Sequence, residues 1–281
     1  MEQRMITIYC LIEEFLKGLK GKKEHKLAEI SDSEVLFLGY LAMADFNGNY
    51  TKAHYYGMGM KLVNKVEYSR FTRRINQLEE EIGELFVFLS ELFKKLNGLQ
   101  IYSVDSFPVE ICQIQREKRS RLWRDVSLKG YNASKKKYFY GFKVHMVVTT
   151  NQEPVSCYIS EGSMHDTTAS YKFIPTLPKN SIVIGDKGYI SGKLEKFLAQ
   201  FGIELSAFKR KNMEQDPNHK SKRKIRKGVE TAFSVITAKF GKVIRATSIR
   251  GFLVKLKLFI LAYSIDKFLK LSSTHQKLAF N

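Results

Sequence analysis

The chain has 281 residues and a formal net charge of +19, and hydrophobic residues make up 44% of it. This apolar content is sufficient for a folded core and excludes a largely disordered chain. The excess of 47 Lys and Arg over 28 Asp and Glu predicts a polyanionic partner, of which nucleic acid is the commonest. No apolar run is long enough to span a bilayer, and no signal-peptide pattern begins the chain. We therefore expect a cytoplasmic protein with no membrane partner.

Residues 1–97 predict an all-helical N-terminal domain. Apolar residues recur at helical spacing from Ile6 onward, and Ser31 and Glu34 have the spacing of a capping box at the start of a second helix. A turn at 47–51 precedes a third helix. The segment 69–78 then leads into a long helix that is predicted to end near residue 97, with Gly98 as its C-terminal cap.

Residues 98–281 predict a mixed α/β domain. Short apolar segments alternate with turns and helical patterns, and a hairpin turn at 151–154 joins two of the segments. The predicted strands are 101–105, 138–150, 155–160, 181–185 and 203–208. The predicted helices are 166–173, 191–201, one through Glu230 to about 240, and 252–271. This order indicates a mixed sheet flanked by helices.

Three acidic residues occupy positions suited to metal binding. Asp105 and Asp186 each end an apolar strand pattern, and Glu230 lies on a predicted helix beside an apolar stripe. Carboxylate oxygens are the ligands that Mg²⁺ and Mn²⁺ prefer. Together, the three residues predict an oxygen-ligand site whose natural substrate in so basic a chain is a phosphodiester.

Each acidic residue also has a simple structural explanation when taken alone. Asp105 fits a turn before Pro108, and Asp186 fits a turn with Gly188 at positive φ. Glu230 can pair with an arginine four residues earlier on the same helix face. The metal-site interpretation therefore depends on all three acids acting together.

These residues resemble the DDE transposases of bacterial insertion sequences, which have an RNase H-like catalytic core. The resemblance extends over most of the chain and preserves the order of the matching motifs. The matching segments are Val104–Pro108, Tyr140–His145, Gly162–Asp166, Gly185–Tyr189 and Arg226–Glu230.

The resemblance implies that Asp105, Asp186 and Glu230 form a catalytic triad that binds two divalent ions, Mg²⁺ or Mn²⁺. It implies hydrolysis at a transposon end, which frees a 3′-hydroxyl, followed by attack of that hydroxyl on target DNA. Double-stranded DNA is then the partner, and a homodimer is expected because two ends are processed. Residues 1–97 would serve in DNA-end binding or dimerisation.

The sequence departs from the family pattern at two positions near the third carboxylate. Many relatives have a Tyr three residues before the Arg–Glu pair, where this chain has Arg223, and a Lys seven residues after the Glu, where it has Thr237. Lys239 is two residues farther along and is a candidate substitute. The departure bears on phosphate contacts and leaves the carboxylates untouched.

Twelve basic residues are candidates for DNA contacts. Most lie just before Glu230, where a basic segment can bring cations beside the carboxylates. A solvated charged surface is the plainer explanation for such runs. The candidates are Lys209, Arg210, Lys211, Lys222, Arg223, Lys224, Arg226, Lys227, Lys239, Arg70, Arg73 and Arg74.

Other functions compete with that of an active transposase. One is an inactive, transposase-derived DNA-binding protein, and another is a metal-dependent nuclease or resolvase that cuts without joining. A basic structural protein would leave the three carboxylates unexplained. The presence of all three favours an active enzyme.

Overall fold

The computed structural model describes residues 2–19, 29–119, 126–132, 135–208, 219–240 and 244–279. The chain divides into two compact units. We call Met1–Leu89 together with Ile236–Asn281 the helical unit, and Ser90–Val235 the sheet unit.

The helical unit is built from amphipathic and buried helices at both ends of the chain. Its helices are α1 (Glu2–Gly18), α2 (Asp32–Ala44), α3 (Tyr50–Gly59), α4 (Tyr68–Gln77), most of α5 (Glu79–Leu96) and α9 (Ile249–Ala279). The predicted capping box starts α2: Ser31 Oγ accepts from the backbone N–H of Glu34, whose side chain accepts from that of Ser31. Nearly every residue of α2 is buried, so this helix is the centre of the unit.

The compact units differ from the predicted domains in where the C-terminal helix lies. The sequence-based division at residues 97 and 98 assigns α9 to the sheet domain. In the structure, α9 packs against α2, and Gly39 of α2 admits Leu258 close to its backbone. Apolar residues along α9 are buried in this packing, and residues 236–281 therefore belong to the helical unit.

The long helix predicted to end near residue 97 is present as α5, and the segment 69–78 that leads into it forms a separate helix, α4. α4 ends at Gln77 and α5 begins at Glu79. Leu78 between them is buried and caps α4 by donating its N–H to Arg74 O. A periodic apolar pattern does not reveal such a break, since the apolar spacing continues through it.

The sheet unit contains a mixed six-stranded sheet within the described residues. Its strands are β1 (Ile101–Cys112), β2 (Lys129–Asn132), β3 (Lys137–Thr149), β4 (Pro154–Glu161), β5 (Ser181–Gly185) and β6 (Ile203–Ala207). β3 pairs antiparallel with β1, β2 and β4, whereas β5 pairs parallel with both β1 and β6. This arrangement confirms the predicted mixed sheet. The sequence did not predict β2 as one of its strands.

β1 is longer than predicted and does not end at Asp105. It runs on to Cys112 and includes Pro108. Beyond Ser103, β1 pairs with β3 but not with β5, so among the described residues one side of the strand lacks a sheet neighbour. A proline is tolerated in a strand with such an open side, because its missing N–H need not serve a second strand. Asp105 therefore lies within β1, just beyond the end of its pairing with β5.

Helices α6 (Asp166–Phe173), α7 (Gly192–Ala199) and α8 (His219–Ala238) complete the sheet unit, the last reaching into the helical unit. α6 and α7 lie where the sequence predicts them. Across the part of the chain that the structure describes, no helix combines the length and apolar composition needed to cross a bilayer.

Candidate active site

Asp105 and Asp186 follow the paired segments of two neighbouring parallel strands. β1 and β5 pair in register up to Ser103, which lies opposite Ile184. Asp105 and Asp186 each lie two residues beyond this pair, so both are at the same end of the two strands. An even spacing along a strand also keeps side chains on the same face. The charge of Asp186 raises the pKa of Asp105, as expected for neighbouring carboxylates. The sheet therefore brings the first two predicted acids together.

The surroundings of Asp105 disfavour its charged form. Burial raises the pKa of Asp105 to about 7, whereas a hydrogen bond from the Ser106 N–H, at 2.8 Å, acts in the opposite direction. The charges of Asp186 and Asp166 raise this pKa, and that of Arg226 lowers it. A bound cation would offset both the cost of burying the charged carboxylate and its repulsion from the neighbouring acids.

Glu230 is linked to Asp105 through one arginine of α8. Arg226 Nη2 lies 2.6 Å from Glu230 Oε1, and Arg226 Nη1 lies 3.6 Å from Asp105 Oδ2. The guanidinium also lies over the ring of Phe208, 5.8 Å from its centre. The predicted pair one helical turn apart is therefore present, and it orients the third acid toward the first.

Apolar contacts fix α8 against the sheet at this place. The rings of Phe107 on β1 and Phe233 on α8 have centroids 4.6 Å apart, and Val229 is fully buried. Phe107 follows Asp105 by two residues, so both side chains leave β1 on the same face. Packing of Phe233 therefore holds Glu230, one turn earlier, near the carboxylate of Asp105.

The loop after β5 is shaped around the Asp186 carboxylate. Asp186 Oδ1 accepts from the N–H of Gly188 at 2.6 Å, and a Cβ at residue 188 would lie 2.9 Å from the same oxygen. The φ of Gly188 is not positive, so the expectation of a left-handed turn there is wrong. A larger residue at this position would force the Asp186 carboxylate to move.

Tyr189 lies beneath the carboxylates and is completely buried. Burial raises its pKa well above the usual range, and the charges of Asp166, Asp105 and Asp186 raise it further. Its hydroxyl has no hydrogen-bond partner among the described residues. Gly185 allows the tyrosine ring to approach, since a Cβ there would lie 3.0 Å from it.

Asp166, a fourth carboxylate that the sequence analysis gave no role, joins β1 and β3 at the start of α6. Its Oδ1 accepts from Ser106 Oγ at 2.9 Å and lies 3.4 Å from Lys143 Nζ. Lys143 also donates to Met164 O at 2.8 Å. The sequence motifs that resemble the family contain both Lys143 and Asp166, but the proximity of these two residues depends on the strand register.

His145 lies beside Asp166 in a fully buried position. Its Nε2 is 2.9 Å from Ser160 Oγ, and its Nδ1 is 3.7 Å from Asp166 Oδ1. Burial lowers the pKa of His145 to about 4, although the charge of Asp166 acts in the opposite direction. At neutral pH this ring is uncharged and serves as a packed, hydrogen-bonded residue of the sheet.

The basic residues on α8 occupy two faces. Lys222 precedes Arg226 by one turn and donates to Ser206 Oγ of β6 at 2.7 Å, so it faces the sheet. Arg223, Lys224 and Lys227 are exposed. The solvent face of this helix therefore carries cations beside the turn that presents the third acid.

Two of the three predicted arginines of the N-terminal region pair with nearby acids. Arg70 Nη1 lies 2.7 Å from Glu29 Oε2, and Arg74 bonds to Asp32. Arg73 is exposed on the same helix. Arg74 is therefore engaged in packing α4 to the start of α2.

Lys239 serves the helical unit: its Nζ donates to Ala44 O at 2.6 Å and lies 4.0 Å from Asp266 Oδ2. The predicted DNA contacts at 209–211 lie outside the residues that the structure describes.

The donor chemistry of the site fits a hard divalent cation, since its acids offer carboxylate oxygens and one of them, Asp105, is poorly stabilised as an anion. Within the described ranges, no three or more His, Cys, Asp or Glu side chains are already grouped closely enough to hold a metal ion. Arg226 supplies the positive charge between Asp105 and Glu230 in this structure.

This chain is similar to a protein-family model and to a solved structure. The solved structure of piggyBac transposase, in a synaptic complex with hairpin DNA, matches 94% of this chain and 71% of its own chain, with a TM-score of 0.46 and 11% sequence identity. No curated protein sequence matches. The family model described as the transposase DDE domain matches residues 95–241. Because this match covers more than half of the chain, the protein belongs to the DDE transposase domain family.

Proposed function

We propose that this protein cleaves DNA at transposon ends and joins the freed 3′-hydroxyl to target DNA, with Asp105, Asp186 and Glu230 as its catalytic carboxylates. One observation carries the proposal. Asp105 and Asp186 follow neighbouring parallel strands, and Arg226 links Asp105 to Glu230 on the helix packed beside them.

The three carboxylates would hold two divalent cations, Mg²⁺ or Mn²⁺. Such ions, when bound, activate an attacking oxygen and stabilise a leaving oxygen in phosphoryl transfer. The protein contributes position: the sheet fixes Asp105, the Gly188 N–H orients Asp186, and Arg226 orients Glu230. Arg226 is also close enough to these acids to contact a phosphate brought to them.

The solvent face of α8 would contact the DNA backbone. Arg223, Lys224 and Lys227 are exposed there, and the basic segment 209–211 precedes them in the chain. Lysine and arginine contacts to phosphates release counterions, so DNA affinity should fall steeply as salt rises. A DNA affinity that does not change with ionic strength would contradict a role for these residues in DNA binding.

Processing of two transposon ends makes a homodimer on double-stranded DNA the expected assembly. The helical unit would then serve in end binding or in dimerisation. Light scattering of the protein with and without end DNA measures the stoichiometry.

A strand-transfer assay tests the proposed reaction. Labelled end DNA, unlabelled plasmid and Mg²⁺ or Mn²⁺ are incubated with the full chain, and products are separated on a denaturing gel. Joined products support transposition. Cleavage without joining indicates a nuclease or resolvase, and DNA binding with neither product indicates an inactive, transposase-derived DNA-binding protein.

A further inference from the structure

The helical unit contains a cavity of about 910 Å³ that is separate from the carboxylate site. Its wall is formed by the turn before α3, the first turn of α3, one side of α4, and the segment that leads into α9. All of its lining residues belong to the helical unit. The volume lies within the range of sites that hold small organic groups.

Three cations line this cavity: Lys52 on α3, Arg245 before α9, and Lys255 on α9. None of the lining residues is acidic. In the described part of the chain, none of the three side chains forms an ion pair. This arrangement differs from that of Arg70 and Arg74, which pair with Glu29 and Asp32. The positive charge of the cavity is therefore left for a partner.

Lys255 is held in a position that disfavours its own charge. Its Nζ donates to Arg245 O at 2.6 Å and lies 4.4 Å from the centre of the Tyr50 ring. Burial lowers the pKa of Lys255. An anion in the cavity would stabilise this ammonium, since a nearby opposite charge favours the charged form.

Two helices begin in the wall and add to the positive potential. Asn49 caps α3 by accepting from the Lys52 N–H at 3.1 Å, and Ser248 Oγ accepts from the Gly251 N–H at 3.0 Å at the start of α9. The N-terminal ends of helices carry partial positive charge and bind phosphate groups.

The wall also contains polar and aromatic groups that the protein itself does not fully use. The hydroxyl of Tyr50 and Oδ1 of Asn76 are buried without a hydrogen-bond partner among the described residues. Tyr68 lines the same cavity and is 40% exposed. An exposed tyrosine beside cations that form no ion pair is suited to a nucleotide, because its ring and hydroxyl can contact the sugar and phosphate of the backbone.

We propose that this cavity binds a backbone phosphate of DNA, with Lys52, Arg245 and Lys255 supplying the charge and Tyr68 contacting the attached nucleoside. The inference rests on the proposed function only for the identity of the polymer as DNA. It assigns DNA binding in the helical unit to the cavity, whereas the sequence suggested the arginines of α4.

Fluorescence anisotropy with the full chain tests the assignment, using a labelled duplex in a metal-chelating buffer so that no cleavage contributes. Lys52→Met and Lys255→Met are compared with Lys65→Met, which removes an exposed lysine of the same unit outside the cavity. Each cavity variant should bind DNA several-fold more weakly and lower the slope of log K against log salt by about one. Lys52→Met remains informative if Lys255→Met does not fold.

DNA affinities and salt slopes equal to those of Lys65→Met would overturn the assignment. Calorimetry with inorganic phosphate distinguishes the other source of the same chemistry. Phosphate binding that depends on Lys255, with unchanged DNA affinity, would assign the cavity to a small phosphorylated molecule and also overturn it. Because these measurements need no catalysis, failure of the strand-transfer reaction leaves their outcome unaffected.

Discussion

Arg226 Nη1 lies 3.6 Å from Asp105 Oδ2. This contact joins the helix that carries the third acid to the central strand that carries the first. The same guanidinium lies 2.6 Å from Glu230 through its other terminal nitrogen. Asp105 is only 20% exposed and Arg226 25%, so solvent weakens the interaction less than it would at an open surface. One arginine therefore sets both the charge balance and the spacing of these two carboxylates.

Replacement of this arginine should separate its charge from its geometry. Arg226→Gln removes the positive charge beside Asp105, and we expect cleavage to fall by about 10–100-fold, as for residues that orient metal ligands. Arg226→Lys retains a cation but cannot span two carboxylates with one planar group, so it should recover only part of the rate. Gel-based cleavage rates provide the measurement. Full activity of Arg226→Gln would contradict the orienting role.

The three carboxylates should be indispensable for cleavage but not for DNA binding. Asp105→Asn, Asp186→Asn and Glu230→Gln each remove an anionic oxygen donor, and each should abolish cleavage while leaving anisotropy-based DNA affinity largely intact. Glu204→Gln, which neutralises an exposed carboxylate on β6, is the matched control and should cleave normally. Full activity in any of the three variants would sink the assignment of that residue.

Metal binding by these carboxylates should also be measurable without catalysis. Mg²⁺ or Mn²⁺ that binds the folded chain stabilises it by mass action, so the Tm should rise with metal concentration. Asp105→Asn and Asp186→Asn should lose this rise, whereas Glu204→Gln should retain it. An equal rise in all variants would locate the stabilising ion elsewhere.

The stability of the metal-free protein should depend on the ionisation of Asp105. Its pKa in the folded chain is about 7, above the ordinary value of 3.8, so the folded state binds this proton more tightly than the unfolded state. The associated stability is fully present below pH 4 and is lost as pH rises through about 7. Asp105→Asn should therefore be more stable than the native chain at pH 8, by on the order of 2–4 kcal/mol, and the difference should shrink at pH 5.

Denaturant unfolding at both pH values, in a metal chelator, measures this difference. Glu204→Gln again serves as the control, because it neutralises an exposed carboxylate of the same unit. A stability difference between Asp105→Asn and the native chain that does not change with pH would show that another group titrates.

Local patterns were sufficient to predict much of the fold. The alternating residues of β3 and the turn after Thr149 predicted a hairpin, which the structure contains. The spacing of Ser31 and Glu34 predicted the start of α2, where both hydrogen bonds of the capping box are present. These features depend on residues a few positions apart, so a single sequence reports them directly.

Features that depend on distant partners were not predictable in the same way. Pro108 indicated a turn, but β1 continues through it, paired with β3. The proline is tolerated because β5 does not extend along that part of the strand. The packing of α9 against α2 joins segments some two hundred residues apart, and no local signal reports it. Likewise, Asp166 meets Ser106 only because β1, β3 and α6 come together in three dimensions.

Gly188 should be required for the position of the Asp186 carboxylate. An alanine Cβ there would lie 2.9 Å from Asp186 Oδ1, the oxygen that now accepts from the Gly188 N–H. Gly188→Ala should displace that oxygen and lower the cleavage rate by at least about tenfold, since catalysis depends on sub-ångström placement. Gly192→Ala is the matched control, because a Cβ at the start of α7 meets nothing within 4 Å. Equal cleavage rates for both variants would contradict the prediction.

Asp166 should act on the reaction through Asp105. It holds Ser106 by a 2.9 Å hydrogen bond, lies 3.4 Å from Lys143 Nζ, and its charge raises the pKa of Asp105. Asp166→Asn should lower the cleavage rate by about 10–100-fold with DNA affinity unchanged. It should also move the acidic limb of the pH–rate profile to lower pH, because Asp105 then ionises more readily. Lys172→Met, which removes an exposed charge from the same helix, should leave both rate and profile unchanged. A reduced rate with an unshifted pH–rate profile would indicate that Asp166 only supports the fold, since loss of packing alone does not change the pH at which Asp105 ionises.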